Sequence, residues 1–85
     1  FRRVLFRSFA AKEALSKALG VGIRAPMNWH NVGVLNHRSG APYFDLSEAL
    51  RAMVERRGVA SIHLSITDEK AMACAFVVLE GVTPP

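Results

Sequence analysis

Residues 60–67 alternate without a break. Ala60, Ile62, Leu64 and Ile66 fall on one side, and Ser61, His63, Ser65 and Thr67 on the other. Successive side chains of a strand point to opposite faces, so this period of two predicts a strand with one dry and one wet face. The stretch 67–70, Thr-Asp-Glu-Lys, reads as a connecting turn, and the mostly apolar stretch 71–79 reads as a second, antiparallel and more buried strand.

Helical periods supply what would cover the dry face. Residues 10–19 are rich in alanine and leucine, both good helix formers, with Ala11, Ala14, Leu15 and Ala18 on one stripe and Gly20 placed to end the helix. Leu46, Ala49, Leu50, Met53 and Val54 form a second stripe. Asp45 is its expected N-cap, with Glu48 three residues on. Arg56 and Arg57 suit its C-terminal dipole and Gly58 its end, while Arg51, Arg56 and Arg57 read as solvated side chains. Gly22 and Pro26 make 21–27 a loop. In the strand-like stretch 28–36, Val32 and Val34 share one face and Trp29 and Leu35 the other. Residues 37–42 form a turn, and 42–44 a short edge strand. Helix, strand, short strand, helix, strand, strand implies an α+β fold with an antiparallel sheet and packed helices. Residues 81–85 read as a tail.

An 85-residue chain allows one domain. At 51% hydrophobic and 21% charged it is too apolar to be disordered. Its apolar runs fall short of the roughly 18 residues that span a bilayer, so no membrane partner is expected. The single cysteine, Cys74, excludes an internal disulfide and a zinc knuckle. Between two alanines it reads as a small buried hydrophobe, in keeping with a reducing cytoplasm. His30 and His37 have no ligand spacing with each other or with Cys74, which argues against a transition-metal site.

The formal charge of +4 comes from 11 basic and 7 acidic residues. Three of the bases, Arg2, Arg3 and Arg7, lie in the opening octet; without them eight bases face seven acids, a net of +1. That is not the clustered footprint of a nucleic-acid binder. The run Arg2-Arg3-Val4-Leu5-Phe6-Arg7-Ser8 is similar to a translated sequencing-library adapter, and scars of that kind are set aside in fold reasoning. Residues 1–8 are therefore expected to be non-native, with the natural chain starting near Phe9 and an upstream portion lost.

The informative stretch is Phe9-Ala10-Ala11-Lys12-Glu13-Ala14-Leu15-Ser16-Lys17-Ala18. Glu13 and Lys17, four apart, share one side of a helix beside the apolar stripe. On physics alone such a pair is a solvated surface contact worth about 0.3–0.5 kcal/mol. The pattern as a whole resembles the second signature of the 4'-phosphopantetheinyl transferase superfamily: an aromatic residue, a small one, any residue, Lys-Glu, a small residue, two variable positions, then Lys and a small residue. Downstream, Leu19-Gly20-Val21-Gly22-Ile23, Trp29 to Leu35, Ser39-Gly40-Ala41-Pro42, His63 to Thr67 and Ala73 to Leu79 are similar, in order, to the acyl-carrier-protein synthase branch. The resemblance runs from Phe9 to about Gly81.

The resemblance implies Mg-dependent transfer of 4'-phosphopantetheine from coenzyme A to a serine of apo acyl carrier protein. Glu13 would be a magnesium ligand, and Glu13 and Lys17 the catalytic residues, Lys17 being the lysine at the phosphates, either as base for the serine or as electrostatic partner. Lys12, Lys17, Gly20, Gly22, His63 and Ser65 are the candidate coenzyme A contacts. For His63 a plain surface role competes, and for Gly20 and Gly22 a plain helix stop. The branch implies a homotrimer with sites between subunits, in the cytoplasm, serving fatty acid biosynthesis. Residues 9–85 would be the C-terminal part of one such domain, lacking the family's N-terminal strand and helices. The first signature, a Gly-x-Asp whose Asp would be the second magnesium ligand, is absent, so the chain alone is expected to be inactive. Ser8 stands where the branch often has Arg, Ala41 where it has Lys, and Asp68 where many members have His. A noncatalytic module binding coenzyme A, carrier protein or nucleic acid is the competing expectation; nucleic acid is disfavoured by the charge.

Overall fold

The computed structural model describes residues 2–20, 31–69 and 72–81. Its elements are α1 (Arg2–Leu19), β1 (Val32–Asn36), β2 (Pro42–Leu46), α2 (Glu48–Arg56), β3 (Val59–Glu69) and β4 (Met72–Gly81). The α+β class and the antiparallel pairing are those expected. Instead of one sheet, however, the described strands form two separate hairpins, β1–β2 and β3–β4. The expected loop 21–27, the start of the strand at 28–30, and residues 82–85 of the tail lie outside the described residues.

Helix α1 begins at Arg2, eight residues before the expected start. Extending a nucleated helix adds one hydrogen bond for each residue fixed, and no Gly or Pro interrupts the octet. Among its described side chains Ala11, Leu15, Ser16 and Leu19 are buried, whereas Ala18, expected on the stripe, is exposed. Ser16 is tolerated inside because its hydroxyl donates to the Glu13 carbonyl at 2.8 Å.

The β1–β2 hairpin pairs Val32 with Leu46 and Asn36 with Pro42. Its turn is closed by the His37 N–H on the Ala41 carbonyl at 2.8 Å and by the Gly40 N–H on the His37 carbonyl at 2.9 Å. Pairing continues through Asp45 and Leu46, which lengthens β2 beyond 42–44 and takes Asp45 out of reach as a cap. The N-cap of α2 is Ser47 instead, whose side chain accepts the Leu50 N–H at 3.2 Å. Of the expected α2 stripe, Leu50, Met53 and Val54 are buried, Leu46 is half-buried on β2 and Ala49 is exposed.

Strand β3 runs through Thr67, Asp68 and Glu69, so the expected turn at 67–70 is displaced, and Glu69 pairs with Met72. A register shift between Val59 and Ser61 breaks the alternation at its start, leaving Ala60 exposed and Ser61 half-buried. From Ile62 onward the alternation holds. Ile62, Leu64 and Ile66 are half-buried, while His63, Ser65 and Thr67 are exposed. Strand β4 alternates in the same way, rather than being the more buried of the two. Cys74, opposite Thr67, is exposed, as are Met72, Phe76 and Val78.

The core joins Leu15 and Leu19 of α1, Val32 of β1, and Leu50, Met53 and Val54 of α2. Phe44, Leu46, Val59, Ile62, Val77 and Leu79 pack around it. The inner face of β3–β4 thus meets both helices, and α1 lies mainly along β4. Arg7 and Asp68 add a partly exposed ion pair, Nε to Oδ2 3.4 Å, between α1 and the end of β3.

Candidate active site

Packing Leu15 and Leu19 inward turns Glu13 and Lys17 outward along one flank of α1. The Glu13 carboxylate and the Lys17 ammonium stand 3.9 Å apart, with side chains 49% and 78% exposed. They border an open groove of about 350 Å³ whose floor and far wall are Ala10, Ala14, Ala73, Cys74, Ala75 and Phe76. Small side chains on both elements let helix and strand lie close and leave room beside them. Among the described residues no further strand pairs with β4, so the groove runs along an open sheet edge.

Lys12 is half-buried on α1. At the end of the helix Gly20 adopts φ 72°, and its N–H donates to the Lys17 carbonyl at 3.0 Å. That left-handed conformation suits glycine and closes the turn that carries Lys17. Gly22 lies outside the described residues. His63 and Ser65 project from the outer face of β3, opposite Val78 and Phe76, whereas α1 covers the inner face. His63 Nε2 meets Glu80 Oε1 at 3.1 Å, an exposed cross-strand contact. One copy of the chain therefore brings Glu13, Lys17 and the Gly20 turn together and leaves His63 and Ser65 on another side.

Three participants were not legible in the sequence. Cys74 and Phe76 line the groove because β4 lies under α1, a long-range arrangement that no local pattern encodes. The Arg57 guanidinium, expected to be solvated, donates to the Leu19 carbonyl at the end of α1. The only sequence hint was its basic character near a helix C-terminus.

A carboxylate and an ammonium one turn apart at an open groove can hold a divalent cation and a phosphate side by side. The sequence model of the 4'-phosphopantetheinyl transferase superfamily matches residues 1–77. This chain belongs to that superfamily. It is 49% identical over 76 residues to the holo-acyl-carrier-protein synthase of Nitrosospira multiformis, covering 89% of this chain and 61% of the relative. Among solved structures it is similar to the Neisseria meningitidis holo-acyl-carrier-protein synthase, with a TM-score of 0.81 and 42% identity, covering 85% of this chain and 58% of that one. The Helicobacter pylori holo-acyl-carrier-protein synthase, solved in complex with coenzyme A, matches with a TM-score of 0.72 and 32% identity, covering 85% and 60%. The chain thus spans about three-fifths of the length of these relatives.

Proposed function

We propose that this chain carries the Lys-Glu…Lys part of a site that transfers 4'-phosphopantetheine from coenzyme A to a serine of an apo acyl carrier protein. The observation that carries the proposal is the Glu13–Lys17 pair, one helical turn apart at the groove between α1 and β4. In this reaction the serine oxygen forms a bond to the phosphorus that bears the pantetheine arm. The bond from that phosphorus to the bridging oxygen breaks, adenosine 3',5'-bisphosphate leaves with that oxygen, and the serine proton passes to water. Such phosphoryl transfer depends mainly on positioning and on neutralising charge.

Lys17, exposed beside the groove, sets a positive charge at the phosphates and steadies the charge that develops there. Lys12 and the backbone at Gly20 are further contacts for coenzyme A. Among the described residues no three His, Cys, Asp or Glu side chains cluster as a metal cage. Glu13 by itself fits magnesium, which commonly takes one or two carboxylates and completes its shell with water and substrate phosphates. Magnesium, when bound, would neutralise the pyrophosphate.

His63 and Ser65 face away from Lys17 within one copy, so their place as coenzyme A contacts requires a second copy. A homotrimer with sites between subunits meets that requirement. The exposed Met72, Phe76 and Val78 beside them on β4 supply apolar surface for such an assembly. No helix of the described residues is long and apolar enough to cross a membrane. We place the activity in the cytoplasm and in fatty acid biosynthesis. Residues 1–8 as non-native sequence, and 9–85 as the C-terminal part of one domain, complete the proposal; re-reading the source DNA ahead of the Phe9 codon with a different library chemistry tests that part.

The activity test incubates the longest product the gene encodes with coenzyme A, magnesium and apo carrier protein, and follows the carrier by mass spectrometry. The expected result is a mass gain of one phosphopantetheine group that Glu13→Gln abolishes. Coenzyme A binding without any mass gain would overturn the proposal in favour of a noncatalytic binding module.

A further inference from the structure

The last turn of α1 holds two groups on which the proposed chemistry depends, Lys17 and Gly20. A helix C-terminus leaves its final carbonyls without donors from the helix itself. The Lys17 carbonyl receives the Gly20 N–H. The Leu19 carbonyl receives a donor from 38 residues away, the Arg57 guanidinium.

Arg57 is itself fixed. It is the C-cap of α2, and its N–H is shared between the Met53 and Val54 carbonyls at 3.2 Å each. The next turn closes with the Gly58 N–H on the Glu55 carbonyl at 2.9 Å. Met53 and Val54 belong to the same core cluster as Leu19, and the guanidinium bridges from the end of α2 to the end of α1. A cation on the carbonyl end of a helix is favoured both as a hydrogen-bond donor and by the negative end of the macrodipole.

We infer that Arg57 is a positioning residue. It ties the C-terminal end of α1 to that of α2, and so holds Lys17 and the Gly20 turn in place beside the groove. It acts through the Leu19 carbonyl and touches no substrate. Its effect on coenzyme A rests on the reading of Lys17 as the phosphate lysine; the tie itself does not. Lysine at this position keeps a charge and a donor but loses the planar fork, and methionine keeps an apolar stem with no donor.

The test compares the full gene product with its Arg57→Met and Arg57→Lys variants. Amide hydrogen exchange reads residues 16–20 against β3 and β4, and kinetics with coenzyme A separate KM from kcat. Arg57→Met is expected to speed exchange in the last turn of α1 about tenfold, as the loss of one charge-assisted hydrogen bond would. The β3–β4 hairpin should be unchanged. KM for coenzyme A should rise several-fold while kcat holds, and Arg57→Lys should recover part of both effects.

Unchanged exchange at 16–20 would overturn the inference. So would a uniform rise across β3 and β4, because that reports lost global stability. A loosened α1 end with an unaltered KM would refute the positioning role. Should exchange rise locally while even the Arg57 protein fails to bind coenzyme A, the tie is upheld and the functional proposal falls instead.

Discussion

Glu13→Gln separates structure from chemistry at the candidate site. The carboxylate lies 3.9 Å from the Lys17 ammonium, and both side chains are well exposed. Water screens such a pair, so its removal costs no more than about 0.5 kcal/mol. Glutamine and glutamate have similar helix propensities, and the amide would keep the packing of α1. With a urea dependence of about 1 kcal/mol per molar for a chain this small, the unfolding midpoint should move by less than about 0.5 M. The effect at the site should be of another order. Magnesium commonly takes only one or two carboxylates, and glutamine brings no charge. Coenzyme A affinity in magnesium should fall at least about tenfold, given that even residues supporting a metal ligand cost about 10–100-fold when lost. In chelator the variant and the parent should bind alike. Titration calorimetry with and without magnesium, on samples whose urea midpoints agree, measures this directly. An unchanged magnesium-dependent affinity would refute Glu13 as the metal ligand. A midpoint displaced by more than about 1 M would refute the account of the pair as solvated.

Leu15→Ala and Leu50→Ala each empty a fully buried core position, and each should cost about 2–5 kcal/mol by urea denaturation, much of what a small domain has. Ser47→Ala removes the side chain that accepts the Leu50 N–H and should cost about 1 kcal/mol, with Ser47→Asp restoring most of it. Gly20→Ala meets no atom of the described residues within 4 Å of the new Cβ, so its expected cost is the backbone penalty, about 1–2 kcal/mol, and Gly20→Asn should cost less. Thermal or urea melts of the pair check that order.

Much of this protein is legible from local periods. Alternation follows from the geometry of an extended backbone, so Ile62, Leu64 and Ile66 could be assigned one face and His63, Ser65 and Thr67 the other before any contact was known. The same holds for the stripe Leu50, Met53 and Val54, and for Glu13 and Lys17, which four-residue spacing places together on any helix. Element ends were less legible because competing partners decide them. Asp45 and Ser47 are both good caps, but ladder pairing with β1 claims Asp45 and leaves Ser47 to start α2. The opening octet is set aside as non-native in the fold reading, yet α1 runs through it from Arg2.

Other features have no local signature at all. Cys74 is exposed because its register opposite Thr67 puts it on the open face of the hairpin, though its alanine neighbours suggest burial. His63 and Ser65 lie away from Lys17 because α1 packs against the opposite face of their sheet. The Arg57 tie to Leu19 exists because the core brings two helix ends together across 38 residues. Spacing along the chain decides which side chains share a face, since helix and strand periods are properties of the backbone. Which faces then meet depends on how the whole apolar surface is buried at once, and that is settled only in the folded chain.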